Sequence, residues 1–343
     1  MTEQKSEKKP AMKRVMSGMR TTGSLHIGNY FGSLINYVKL QNEGYECFFG
    51  AMDWHALTTS YRDSESVGNY TRDIIADWLA WGVDPEKSVV YIQSKLPELL
   101  ELTMVFANLT PMGWLERVTT WKDAIEEMKS TDTHNLGRFM YPVLQAADIA
   151  IFNGEAVPVG KDQVPHLELS RDIIQRFNRI YGVTLKEPQP LLTENPLVPG
   201  TDGRKMSKSY GNIIPLTEEA KSSEKRIKKM QTDPARVRRE DPGEPTKCPV
   251  YYIHKLYSSD DDLAWVEKGC RSAGIGCGDC KGRLIENREK VMSGPRQRKN
   301  ELLNNKQELD SILSRGCDRA RAEAAKTMAS VRKAMKWSGG SFS

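Results

Sequence analysis

Four short apolar runs are spaced through the first half of this 343-residue chain: RVMSG (14–18), ECFFGAM (46–52), SVVYIQS (88–94) and AVPVG (156–160). Helix-patterned stretches separate and follow them. From His26 to Gly44, Ile27, Tyr30, Phe31, Leu34 and Val38 recur at helical spacing. The run 64–82 reads as a helix capped by Ser64 or Ser66 and closed by Gly82. PELLELTMVFANL (97–109) carries Pro97 in its first turn, and LELSRDIIQRF (167–177) is helical again. Short strands alternating with helices of this length predict an α/β fold, a Rossmann-like doubly wound parallel sheet. Ligands on such sheets bind at the carboxyl ends of the strands.

After about Pro215 the strand signals become sparse. EEAKSSEKRIKKM, DDDLAWVEKG, GRLIENREKVM and the long stretch 298–337 are helical in pattern. The division expected is a catalytic domain over 14–217 and a helical domain over 218–337, whose last helix packs back on the first domain. Short disordered tails are expected at 1–13 and 338–343. Charge follows the same division. Through Glu218 there are 23 Lys+Arg against 27 Asp+Glu, and from Glu219 onward 27 against 18. An acidic half joined to a basic one suits a catalytic unit beside a unit that meets a polyanion, although a solvated helical surface reads the same way.

No apolar run approaches the roughly 20 residues that span a bilayer, and the charged N-terminus lacks the apolar stretch of a secretory signal. The expectation is a cytoplasmic protein without a membrane partner. Cysteines stay reduced there, so Cys248, Cys270, Cys277 and Cys280, spaced C-x21-C-x6-C-x2-C, favour a metal over disulfides. Cys47 and Cys317 read as buried apolar residues.

Two stretches have the makings of phosphate sites. SGMRTTGSLHIGN (17–29) leaves the first strand and opens a helix, with Gly18 and Gly23 permitting close backbone approach and His26 and Asn29 one turn apart at the helix start. GRKMSKSYG (203–211) sets Lys205 and Lys208 three apart in a glycine-flanked loop able to close over a triphosphate. Taken alone, the first is more often a structural turn and the second more often an exposed basic loop. Together, about 180 residues apart on an α/β unit, HIGN and KMSKS resemble the paired ATP motifs of class I aminoacyl-tRNA synthetases.

MDWHALT (52–58) and YPVLQAADIAIFNGEAVPVGKDQVPHLELSRDI (141–173) narrow the resemblance to the tryptophanyl branch, over nearly the whole chain from Val15. That resemblance implies a Rossmann catalytic domain, a helical anticodon-binding domain and a homodimer that binds tRNA(Trp), with L-tryptophan, ATP and Mg²⁺ as substrates and ion. It implies tryptophan contacts from Met16, His55, Tyr141, Gln145, Asp148 and Gln163, with Asp148 accepting the indole N–H. It implies ATP contacts from Gly18, Arg20, Thr21, Thr22, Gly28, Asn29, Gly160, Lys161, Asp162, Lys205, Met206, Ser207, Lys208 and Ser209. His26, Asn29, Lys122, Lys205, Ser207 and Lys208 would serve the chemistry. Arg20 and Gln145 stand where other members of the family have Gln and Met. From the residues alone, Asp148 is as readily a structural salt bridge, Tyr141 and His55 core groups, and Lys122 a helix flank.

Some members of the branch carry a 4Fe–4S cluster on this cysteine arrangement, so the resemblance places a cluster ahead of zinc at the four cysteines, with Lys281, Arg283 and Arg271 nearby to meet phosphates. Tyrosyl-tRNA synthetase shares the fold and both ATP motifs, and is the nearest alternative. A nucleotidyltransferase of the same superfamily has no use for the basic helical half. A non-catalytic iron–sulfur nucleic-acid-binding protein has no use for the HIGN and KMSKS pair.

Overall fold

The computed structural model describes residues 13–117, 135–192 and 197–336. Five parallel strands form one sheet: β1 (Arg14–Arg20), β2 (Glu46–Met52), β3 (Val89–Ile92), β4 (Ala156–Val159) and β5 (Gln189–Leu192), in the order β3-β2-β1-β4-β5. The chain winds outward through β2 and β3, then returns to the other side of β1 for β4 and β5, which is the doubly wound arrangement expected. β1 runs beside β2 over its full length, from Arg14 opposite Glu46 to Arg20 opposite Met52. β1 and β4 diverge beyond Val15–Ala156, opening a crevice at their carboxyl ends.

Both faces of β2 are buried, as a central parallel strand requires. Phe48 and Met52 face a core with Phe152, Phe106 and Phe177, while Cys47, Phe49 and Ala51 face Tyr37, Trp78 and Ile74 on the other side. The helices that supply these faces are α1 (Ile27–Asn29), a π-helical turn at Tyr30–Leu34, α2 (Ile35–Asn42), α3 (Asp53–Ser60), α4 (Ser64–Ala80), α5 (Pro97–Leu109), α6 (Met112–Glu116), α7 (Leu136–Ala150) and α8 (Val164–Tyr181). The cap of α4 is Asp63, whose side chain accepts from Ser66 N, and not either serine. A carboxylate reaching the first-turn amides supplies an acceptor as well as favourable charge.

The second half contributes α9 (Ala220–Lys228), α10 (Pro249–Tyr257), α11 (Asp260–Arg271), α12 (Cys277–Asn304) and α13 (Lys306–Ala334). The helical run read over 298–337 is two helices, because Asn305 turns the chain and caps α13 through Glu308 N. α13 lies along the edge strand β3 and covers it. Gly316 makes this possible: a Cβ there would stand 1.9 Å from the Val90 carbonyl oxygen. Leu284, Met292, Leu309 and Leu313 continue the apolar core that holds Phe49 and Trp78, while Cys317, Ala320, Ala324 and Met328 of α13 join the core of Phe48 and Phe152, so the helical half is welded into both cores.

Candidate active site

Where β1 and β4 part, a pocket of about 310 Å³ opens at the carboxyl end of the sheet. Met16, Gly18 and Arg20 of β1, His55 of α3, Tyr141, Gln145 and Asp148 of α7, and Gly160 and Gln163 after β4 all line it. The six residues expected to hold an amino acid are therefore brought to one cavity from four separate elements. Its polar end is Asp148, 2% exposed. His55 Nε2 lies 2.8 Å from one Asp148 oxygen and Gln93 Nε2 donates to the other at 2.7 Å. Each carboxylate oxygen has two acceptor sites, so this leaves capacity for a further N–H. Gln93, fully buried at the end of β3, was not singled out by sequence reasoning; a lone glutamine after a strand gives no signal of its partner.

Tyr141 stands against the pocket with its ring edge-on to His55 at 6.2 Å and its hydroxyl 3.4 Å from His166 Nδ1. His166, 2% exposed, is a second group that sequence reasoning missed. Arg20 donates to Thr59 Oγ1 at 2.6 Å and, among the described residues, has no carboxylate partner. Burial and the nearby Arg138 lower its pKa, so an anion at this end of the pocket would meet a cation held at some cost.

The two lysine- and histidine-bearing turns meet beside this pocket. The main chain of 25–27 pairs with 214–216: Ile27 N donates to Ile214 O at 3.0 Å and Leu216 N to Leu25 O at 2.8 Å. Lys208 Nζ crosses to Gly23 O at 2.6 Å. Gly23 has φ +124, a conformation that suits glycine. Asn29 Oδ1 accepts from His26 N, closing the turn on itself. His26 Nδ1 is buried without a partner, and burial followed by the Lys208 charge pulls its pKa down to about 4. At neutral pH the imidazole is uncharged and offers one N–H. Lys208 is pulled down to about 8, mainly by burial.

The other expected ATP residues differ in exposure. Thr21 is fully buried with its hydroxyl unpartnered, and Met206 is 5% exposed within the core, so their side chains anchor the two turns. Gly18 serves strand packing as well as the pocket, since a Cβ there would lie 2.7 Å from Gly50 O. Ser207 N donates to Asn212 Oδ1, and Lys205 is exposed. Thr22 and Gly28 are half-buried on the His26 turn, and Lys161 is exposed beside Gly160. Lys122 lies outside the described residues, and the side chains of Asp162 and Ser209 are likewise not described.

The four cysteines lie apart from this pocket. Cys248, Cys270, Cys277 and Cys280 are free thiols lining one small apolar cavity with Arg236, Val266 and Ile275. His254 Nε2 is 3.4 Å from Cys280 Sγ, and Arg236 donates to Cys270 Sγ at 3.8 Å. Burial, then the mutual charge of the other three cysteines, pushes the Cys280 thiol up to about 12. Among the described residues, no three His, Cys, Asp or Glu side chains stand close enough to hold a metal ion. The basic residues expected to meet phosphates here already have partners: Lys281 donates to Lys228 O and Met230 O, Arg283 to Asp262, and Arg271 to Glu244.

Residues 8–293 match the family model described as tRNA synthetases class I (W and Y). The chain is 48% identical to the tryptophan–tRNA ligase of Thermotoga maritima, over 94% of this chain and 98% of that protein. It is 41% identical to the Aquifex aeolicus tryptophan–tRNA ligase, over 94% and 99% of the two chains. The crystal structure of tryptophanyl-tRNA synthetase from Campylobacter jejuni complexed with ADP and tryptophan superposes with a TM-score of 0.87 at 35% identity, covering 94% of this chain and 99% of that one.

Proposed function

The chain belongs to the class I tRNA synthetases of the tryptophan and tyrosine family, and we propose that it is a tryptophan–tRNA ligase working through the β1–β4 pocket. The observation that carries the reading is the meeting of the His26 and Lys208 turns beside a slot ended by buried Asp148. An indole needs a flat apolar slot and one acceptor, because burying its N–H unpaired costs about 1–3 kcal/mol. Met16 and His55 line that slot, Asp148 accepts, and Tyr141 and Gln163 hold the amino group. Gln145 and Arg20 complete the wall, with Arg20 turned to the anionic end of the substrate.

The tryptophan carboxylate then attacks the α-phosphorus of ATP. The bond from that phosphorus to the β-phosphate breaks, giving tryptophanyl-adenylate and pyrophosphate. His26 and Asn29 donate to the phosphates, while Lys205, Ser207 and Lys208, with Lys122, neutralise charge on the departing pyrophosphate. Mg²⁺ would ride on the phosphates. In the second step the 2′-hydroxyl of the terminal tRNA adenosine attacks the acyl carbon and AMP leaves. No protein nucleophile is needed; positioning and electrostatics suffice. Tryptophan should support exchange of labelled pyrophosphate into ATP, whereas tyrosine at the same concentration should not. Exchange driven equally by tyrosine would move the assignment to the tyrosyl branch.

The catalytic unit is taken as 14–217 and the tRNA-facing unit as 218–337. Among the described residues no helix is long and apolar enough to cross a membrane, and a cytoplasmic homodimer charging tRNA(Trp) is the setting proposed. Leu100, Met104 and Met112 of α5 and α6 are 42%, 62% and 66% exposed, an apolar strip suited to a second copy. We further infer that the four cysteines hold a metal group that ties together the start of α10, the end of α11 and the start of α12, a 4Fe–4S cluster ahead of zinc. Four reduced thiols line one apolar cavity, with an imidazole nitrogen and a guanidinium beside two of the sulfurs, and thiols of this kind are donors to either once drawn together. Anaerobically purified protein should be brown and contain iron. Colourless protein with one zinc per chain would favour zinc, and protein without either metal would remove the proposal.

A further inference from the structure

Residues 214–218 leave the KMSKS loop, run beside 25–27 and enter α9. The main chain that carries His26 is therefore held in place by this segment. The segment is gripped in turn by three basic residues of α12. Arg288, 1% exposed, donates to Pro215 O at 3.0 Å and also to Ser223 Oγ. Arg296 donates to Glu218 O at 2.9 Å while both its terminal nitrogens engage Glu289. Lys299, 7% exposed, donates to Thr217 Oγ1 at 3.0 Å and pairs with Asp73 at 2.7 Å and Asp77 at 2.9 Å on α4.

Eight and eleven residues apart, these three side chains fall within about 80° on one face of a helix. Their partners, Pro215, Thr217 and Glu218, follow one another along the segment. Burying a guanidinium and an ammonium is costly, and apolar side chains would pack helix on helix at less cost. A purely structural contact does not call for cations at this place. What these cations do is fix carbonyl and hydroxyl oxygens of one particular segment in register.

We propose that Arg288, Arg296 and Lys299 are positioning residues for the ATP turn, setting the register between the HIGN turn and the KMSKS loop through residues 215–218. The inference rests on the reading that the His26 turn receives ATP. It makes α12 a rigid connection from the cysteine cavity, where the helix begins at Cys277, to the triphosphate end of the site. From Cys277 to Arg288 that is about 17 Å of helix. Asp73 belongs to the same arrangement: its second oxygen is buried without a hydrogen-bond partner, and its charge is felt at Lys208.

The test compares Arg288→Met, Arg288→Lys and Thr217→Val in the full-length protein. The readouts are kcat and KM for ATP in tryptophan-dependent exchange, tryptophan Kd and Tm. Arg288→Met should lower kcat/KM for ATP about tenfold or more, with tryptophan Kd within about twofold and partial recovery in Arg288→Lys. Thr217→Val, which removes the hydroxyl that accepts from Lys299 and donates to Asp77 at nearly constant volume, should lower it about threefold, and carries the test should Arg288→Met not fold. Folded variants with unchanged ATP parameters overturn the inference. So does a parallel loss of tryptophan binding, which marks a general loosening of the fold. His26→Ala measured alongside separates the two ideas. If it leaves exchange intact, the ATP-turn reading itself falls; if it abolishes exchange while the α12 variants do nothing, only the present inference falls.

Discussion

Lys208→Met slows tryptophan-dependent pyrophosphate exchange by about two to three orders of magnitude and leaves tryptophan affinity within about twofold. The residue is absent from the lining of the β1–β4 pocket, which is why amino-acid binding is spared. Its ammonium is half-buried against Gly23 O, at the entrance to the His26 turn, where a triphosphate would replace the carbonyl as its partner. Such an interaction strengthens as pyrophosphate departs, so its loss falls on the chemical step. The pH dependence follows from the depressed pKa of about 8, set mainly by burial and eased by Asp73. A lysine so shifted is charged below pH 8 and neutral above it. In the free enzyme, kcat/KM for ATP should therefore fall about tenfold from pH 7 to pH 9, and the profile should be flat over that range in Lys208→Met. At saturating ATP the bound phosphates hold the proton, so kcat declines less. Lys205→Ala, altering an exposed partner in the same loop, acts in the same direction. A Lys208→Met exchange rate within a few-fold of the parent would remove the charge from the mechanism.

How much of this was legible beforehand depended on whether the signal was local. β2 and α5 have the bounds read from the sequence, because a fully buried apolar run and a proline-started apolar helix are set by near neighbours. β5 was not read, since QPLL is short, half-exposed and contains a proline, as an edge strand permits. The spacing from Ile27 to Val38 predicts one continuous helix, whereas the turn at Tyr30–Leu34 departs from the 3.6-residue period. HIGN and KMSKS were legible as a pair, and the fold supplies the reason they act together: 25–27 and 214–216 are neighbours in space. Gln93, His166, Arg288 and Lys299 were not legible. Each is one polar residue in an ordinary element, and its meaning lies in a partner 25 or more positions away. On a helix as basic as α12, a buried cation reads as part of a solvated face until the tertiary structure shows otherwise.

Asp148→Asn should weaken tryptophan binding by about two orders of magnitude, or roughly 2–3 kcal/mol, with little change in the KM for ATP. The carboxylate offers acceptors only, and two are already used by His55 and Gln93 at a group that is itself buried. An amide in its place presents an NH₂ to one of three donors: the imidazole, the glutamine or the arriving indole. The substitution preserves shape and removes acceptor capacity, so the loss reports hydrogen bonding and not a cavity. A tryptophan analogue with sulfur in place of the ring N–H sharpens the measurement. In the parent enzyme it leaves the Asp148 acceptor unmet and should bind about a hundredfold more weakly than tryptophan. In Asp148→Asn that preference should largely vanish, because the donor and the acceptor it matches are each already gone. A parent enzyme indifferent to the ring N–H would mean that Asp148 serves only to hold His55 and Gln93. The slot would then select its substrate by shape alone, and one methylene's worth of apolar contact discriminates by only about 10–200-fold.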